Sequence, residues 1–306
     1  MTVHGERTLD SIITAYSDHQ RRTRGLREST IDGYAWNLRC FLRATLGDDP
    51  VHVSQLRPTD VIEYVSTQAT RLRPRTVKAV VCALRSFFRF LRAVGLHDGR
   101  IEECVPTVPV RRLADLPRHL DEEQHTRFLK SLDVSTPRLR RDRAIILCLS
   151  ALGLRAGEVA DLCIEDIDWR AGTLRIRARK TGRGALLPLP HRAGRAIASY
   201  LRDDRPATHD RHVFVRHWMG VGEAVSSHLV SHVVATALRH AGVEGPHYGA
   251  HVLRHTLATR MVRHGATLKE IADVLGHRHL VTTTIYAKTD IDALSGVALP
   301  WPQVRS

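Results

Sequence analysis

Apolar residues recur at helical spacing through the first hundred positions of the chain. In STIDGYAWNLRCFLRATLG, Ile31, Tyr34, Leu38, Phe41 and Leu42 share one stripe, with Ser29 placed as a candidate N-cap. RPTDVIEYVSTQAT reads as a second helix, capped by Thr59. RPRTVKAVVCALRSFFRFLRAVG carries Val77, Val80, Val81, Leu84, Phe88 and Leu91 on one face and stops at Gly95. Arginines fill the faces between, which predicts a basic helical bundle over residues 1–103. The stretch CVPTVPVRRLADLPR, residues 104–118, has three prolines and no clean period, so it reads as a linker.

Residues 119–306 are mixed. DEEQHTRFLKSL opens a helix, and RDRAIILCLSALG is apolar enough to sit at the centre of a core. IEDIDW, GTLRIRAR and GALLPLP read as short strands, the last two joined at KTGR as a hairpin. Helices resume with SSHLVSHVVATALRHAG, GAHVLRHTLATRMVRHG and TLKEIADVLG; the last has Thr267 and Glu270 at capping-box spacing and Gly276 at its end. The expected class is mainly α with a small antiparallel β-sheet, in two domains.

Charge changes the picture most. The 306 residues carry a formal net charge of +14, and all but five of the 46 Lys and Arg residues are arginine. Such a surface meets a polyanion, nucleic acid first and an anionic membrane second, and arginine grips phosphate with two parallel hydrogen bonds. A basic membrane-surface or ribosomal protein would explain the charge alone. Five cysteines, none in a C-x-x-C pair, read as buried free thiols of a reducing compartment. The N-terminus has no apolar signal core, and the longest apolar run, residues 144–154, is short of the ~20 residues of a membrane span. A soluble cytoplasmic protein is expected.

Four stretches hold polar residues that periodicity leaves unexplained. In ALGLRAGEVADL, Arg155 follows a helix and a glycine and needs an anion; Glu158, three residues on, would supply one equally well. Lys180 sits at the expected hairpin tip, where a solvated turn lysine is also at home. In HVLRHTLATR, His251 and Arg254 share a helix face. His255 follows His251 by four, but a zinc protease needs H-E-x-x-H, and residue 252 is Val. In LGHRHLVTTTIY, His277 follows a helix-ending glycine and Tyr286 comes nine residues later, on or near a short helix, where a tyrosine normally packs.

Taken together these residues fit one reaction. Two arginines fork onto the non-bridging oxygens of a phosphate, histidines add hydrogen bonds, a tyrosine hydroxyl attacks phosphorus and a lysine protonates the departing oxygen. A free tyrosine has a pKa of about 10, so only about one in a thousand is ionised near neutral pH, and a base or a positive field must activate it. The guanidinium groups supply the positive charge, so no metal and no cofactor is expected.

The set GLRAGEV, RKTGR, HVLRHTLAT and LGHRHLVTTTIY closely resembles the tyrosine recombinases of the phage-integrase family, in order, spacing and flanking residues, across essentially the whole chain. The resemblance implies that Arg155, Lys180, His251, Arg254 and His277 activate the phosphate and that Tyr286 is the nucleophile. Arg155 and Arg254 would hold the phosphate, Lys180 would be the acid to the 5′ oxygen, His251 the general base, and His277 a donor to the phosphate. His255 and Glu158 fall at positions that are usually structural in that family. Where members often carry a small polar residue after the glycine–histidine pair, this chain has Arg278 and His279.

The resemblance also implies a site-specific DNA recombinase acting through a 3′-phosphotyrosine. An N-terminal DNA-binding bundle (1–103), a linker (104–118) and a catalytic domain (119–306) would clamp a double-stranded recombination site. A homo- or hetero-tetramer would form on two such sites, in the cytoplasm at the nucleoid, with no membrane and no small-molecule substrate. The tail after Tyr286, with Val297, Leu299 and Trp301, either packs on its own domain or docks on a neighbour. A type IB topoisomerase-like enzyme and a non-catalytic DNA-binding relative share much of this pattern.

Overall fold

The structure is a computed structural model that describes residues 8–26, 28–47, 50–97, 99–109, 118–177, 184–243, 245, 249–276 and 283–287. The chain divides into two compact units, Met1–Arg112 and Leu113–Ser306. Among the described residues, no helix is long and apolar enough to cross a membrane.

The first unit is built from α1 (Leu9–Arg24), α2 (Glu28–Leu46), α3 (Pro58–Arg71), α4 (Pro74–Ala93) and the short α5 (Ile101–Cys104). The expected stripes are buried: Ile31, Leu38, Phe41 and Leu42 from α2, and Val77, Val80, Val81, Leu84, Phe88 and Leu91 from α4. Two helix starts differ from expectation. α2 begins at Glu28, so Ser29 lies inside it rather than capping it. α3 begins at Pro58, whose fixed φ and missing N–H suit a first helical position; Thr59 is one residue inside, and the Asp60 carboxylate accepts from the Arg57 N–H at 2.8 Å. Packing runs past residue 103, because Val105 is buried and Arg85 donates to its carbonyl at 2.9 Å.

The second unit holds α6 (Glu122–Lys130), α7 (Pro137–Leu152), α8 (Ala156–Ala160), β1 (Ile167–Asp168), β2 (Thr173–Ile176), β3 (Ala185–Pro188) and α9 (His191–Ser199), the last running on as a π turn to Asp204. It continues through α10 (Ser227–His240), α11 (Ala250–Arg263), α12 (Leu268–Leu275) and α13 (Thr284–Ala287). The second half of α7 is buried all round and sits at the centre of the core: Ala144 through Leu149 are all buried, and α8, α9, α10 and α11 pack on the helix. The sheet is antiparallel, in the order β1-β2-β3, with Thr173 opposite Pro188 and Ile176 opposite Ala185. Of IEDIDW only Ile167–Asp168 is strand; Ile164–Asp166 is a 3-10 turn, held by the Asp166 carboxylate accepting from the Cys163 N–H.

All five cysteines are free, but only Cys148 and Cys163 are buried; Cys40, Cys82 and Cys104 are exposed on the helical unit. Cys40 and Cys82 lie on the solvent side of amphipathic helices, a side that an apolar neighbourhood in sequence does not distinguish.

Candidate active site

Two helix ends build the site. α7 ends at Gly153, whose φ of +62° terminates the helix and turns the chain into Leu154 and Arg155. α12 ends in the same way at Gly276, with φ +58°. The carbonyls at these ends point at the two arginines. Arg254 is 4% exposed, and its Nη1 donates to the Gly153 carbonyl at 2.6 Å while Nη2 donates to that of Leu275 at 2.5 Å. Arg155 reaches the Gly276 carbonyl through Nη2 at 3.4 Å. The C-terminal ends of two helix dipoles thus face two guanidinium groups and offset their repulsion.

Glu158 fixes Arg155. One carboxylate oxygen accepts from Arg155 Nη1 at 2.6 Å and the other from its backbone N–H at 2.8 Å, closing a capping box at the start of α8. The ion pair with Glu158 is therefore formed, and the Arg155 side chain still keeps 38% of its surface while Glu158 keeps 12%. Burial, with Arg155 close by, pulls Arg254 down to about 10, still protonated at neutral pH. Two of its five N–H groups are used by carbonyls of the described residues.

Gly153 is a point of close approach between helices at the site. A Cβ there would come within 2.8 Å of Leu275 Cδ2 and 2.9 Å of Leu257 Cδ2, on a backbone that L side chains rarely adopt. Gly153→Ala is expected to cost about 1–2 kcal/mol for the left-handed backbone alone. It should also push α12 off Arg254. A denaturant melt, read beside adduct formation on DNA, checks this. An unchanged midpoint would show that the site does not depend on this approach.

Tyr286 lies on α13 and is 2% exposed, packed with Ala258, Ile271 and Leu275. Its hydroxyl is 2.8 Å from Nδ1 of His255. Burial raises its pKa, with Arg254 and Arg155 pulling against the rise. The tyrosine therefore packs, as the bland reading has it, yet it packs within the electrostatic reach of both arginines. His251, one turn before His255 on α11, is exposed, with its ring centroid 6.3 Å from that of His255.

Of the six expected residues, the structure brings together Arg155, His251, Arg254 and Tyr286. Lys180 and His277 lie outside the described residues, as do Arg278, His279 and the tail after Ala287. Two contributors went unread in the sequence: the carbonyls of the two helix-ending glycine turns, and His255 as the partner of the tyrosine; Glu158, read as a possible ion-pair partner of Arg155, is its clamp. The available signal for His255 was its four-residue spacing from His251.

Comparison with known proteins bears on the family and on the fold. The profile of the Phage integrase family matches residues 118–292, and that of the Phage integrase N-terminal SAM-like domain matches residues 13–95. The chain is 42% identical to a protein named as integrase/recombinase y4rA of Sinorhizobium fredii, over 98% of this chain and 73% of that one. It is 31% identical to the tyrosine recombinase XerC of Pelobacter propionicus, over 93% of each. Among solved structures, XerH recombinase in a post-cleavage complex with its difH substrate superposes with a TM-score of 0.74 at 19% identity, over 96% of this chain and 97% of that one. A lambda integrase fragment on a core site gives 0.68 at 16% identity, over 97% and 100%; both likenesses bear on the fold. On its helical and catalytic matches and its relatives, the chain belongs to the phage integrase family, the tyrosine-type site-specific DNA recombinases.

Proposed function

We propose that the chain cuts and rejoins strands of a double-stranded DNA recombination site, with Tyr286 as nucleophile and a 3′-phosphotyrosine as intermediate. Arg155 and Arg254 hold the scissile phosphate, Lys180 protonates the departing 5′ oxygen, and His251 and His277 complete the hydrogen bonding around the phosphate. The observation that carries this reading is the convergence of both arginines, each fixed by helix-end carbonyls, on the tyrosine of α13. Preorganised donors of this kind stabilise a pentavalent phosphorane because nothing has to reorient as its charge develops.

The helical unit, residues 1–103 in this reading, supplies further basic surface to the duplex; residues 104–118 serve as linker and residues 119–306 carry the chemistry. The working form is a homo- or hetero-tetramer on two sites, acting in the cytoplasm at the nucleoid. The net charge of +14 supports a polyanionic partner.

The test is covalent trapping: a nicked duplex, EDTA present, and a denaturing gel. A protein–DNA band supports the reading, and tight binding without a band overturns it. Lys180→Ala should cut an ordinary substrate on the order of 10²–10⁴-fold more slowly. It should recover on a substrate with a 5′-bridging sulfur, whose thiolate leaves without a proton. Equal slowing on both substrates removes Lys180 from the acid role.

A further inference from the structure

The Tyr286 hydroxyl has a partner outside the six residues given roles above. Its oxygen is 2.8 Å from Nδ1 of His255, and the two rings are 5.6 Å apart between centroids. His255 is drawn down to about 4 by burial first, then by His251, Arg254 and His119, so its ring is neutral at neutral pH. Burial keeps the phenol protonated. With the ring as its Nε2–H tautomer, the phenol O–H donates to a nitrogen lone pair, the geometry a general base requires.

We propose that His255 takes the proton of Tyr286 as the hydroxyl attacks the phosphodiester. The inference rests on the reading of Tyr286 as nucleophile, and it gives His255 the step that family resemblance would give to His251. The tyrosine oxygen forms a bond to phosphorus while the bond from phosphorus to the 5′ oxygen breaks. The phenolic proton goes to His255 Nδ1, and the 5′ oxygen takes one from Lys180. In rejoining, both protons return.

The titratable and charged groups around the pair are His119 ahead of α6, His251 and Arg254 on α11, and Arg155 at the start of α8. All are neutral or positive. Glu158 also acts on Arg254, but its carboxylate is paired with Arg155, so a phosphodiester bound among these groups adds a negative charge that makes an imidazolium easier to form. The phenol also becomes far more acidic as its oxygen bonds to phosphorus, so a base too weak to ionise free tyrosine is strong enough during attack.

The test uses the full chain and duplexes selected from a random-sequence pool by binding to Tyr286→Phe, then nicked at tiled positions. His255→Asn keeps an acceptor near the position of Nδ1 but cannot take up a proton. The wild type should form adduct at a nearly level rate from about pH 6 to 8, because its base is already neutral there. His255→Asn should bind the same DNA, react on the order of 100-fold more slowly at neutral pH, and gain close to tenfold per pH unit as tyrosinate accumulates. His251→Asn should keep the level profile at a reduced rate.

A level profile in His255→Asn, or a loss of the level region only in His251→Asn, overturns the assignment. The wild-type profile is a second test that needs no variant to fold: a tenfold climb per unit from pH 6 to 8 means no neutral imidazole is at work, and the inference fails. Adduct formation by Tyr286→Phe, or none by the wild type, instead sinks the reading of Tyr286 as nucleophile, which keeps the two failures apart.

Discussion

Tyr286→Phe is expected to abolish the covalent protein–DNA adduct while DNA affinity stays within a few-fold of wild type. The ring remains, so the packing against Ala258, Ile271 and Leu275 remains. What is lost is one oxygen and its hydrogen bond to His255. An intramolecular hydrogen bond of this kind contributes about 1 kcal/mol, and leaving the imidazole nitrogen unpaired costs about as much again. Set against a nucleophile, that is small: removing the attacking group from a concerted site typically costs on the order of 10⁴-fold or more. The assay is the nicked duplex in EDTA on a denaturing gel, beside a gel-shift titration of the same DNA. An adduct of unchanged mobility in the phenylalanine variant would assign the attack to another residue. Weakened binding without loss of adduct would give the hydroxyl a role in contacting DNA instead.

The contrast between what the sequence revealed and what it hid follows from the range of the forces involved. The stripes of α2 and α4, the apolar second half of α7 and the capping box of α12 are local patterns, set by period and by caps within a few residues. They could be read directly. Helix starts at Glu28 and Pro58 lie two residues ahead of those that Ser29 and Thr59 caps would give; at α3 the proline takes the first helical position and Arg57 the cap.

The candidate site is another matter. Arg155 and Arg254 are 99 positions apart, and Tyr286 is farther on; their types and flanking motifs were legible, but nothing local says what holds them. The holding groups are backbone carbonyls at Gly153, Leu275 and Gly276, and a carbonyl has no signature in sequence. The glycines were visible as helix stops without any hint that their carbonyls face guanidinium groups. Glu158 was seen as a rival explanation for Arg155, when its carboxylate in fact fixes that side chain from two directions. For His255 a metal role failed at Val252, and the resemblance gave its position a structural part; neither speaks to a hydrogen bond with a tyrosine 31 positions on.

Arg254→Lys should show that the second arginine does two jobs that a positive charge alone cannot do. The guanidinium spans the carbonyls of Gly153 and Leu275 at 2.6 and 2.5 Å, joining the end of α7 to the end of α12, and it presents its remaining N–H groups from a rigid plane. A lysine ammonium keeps the charge but has three donors at one point on a flexible stem, so it satisfies one carbonyl or the phosphate and not the whole set. A buried carbonyl left without its donor costs about 1–3 kcal/mol, which a denaturant melt of the free protein would read as a lowered midpoint. Losing a preorganised donor to the phosphorane should slow adduct formation on the order of 10²–10³-fold. Arg155→Lys supplies the comparison. Arg155 is more exposed and is held mainly by Glu158, which can still pair with an ammonium, so its stability loss should be much smaller for a similar loss of rate. Equal melts for the two variants would mean that the helix-end carbonyls are satisfied by something other than Arg254. A normal rate in Arg254→Lys would mean that the phosphate is held by charge and not by the fork.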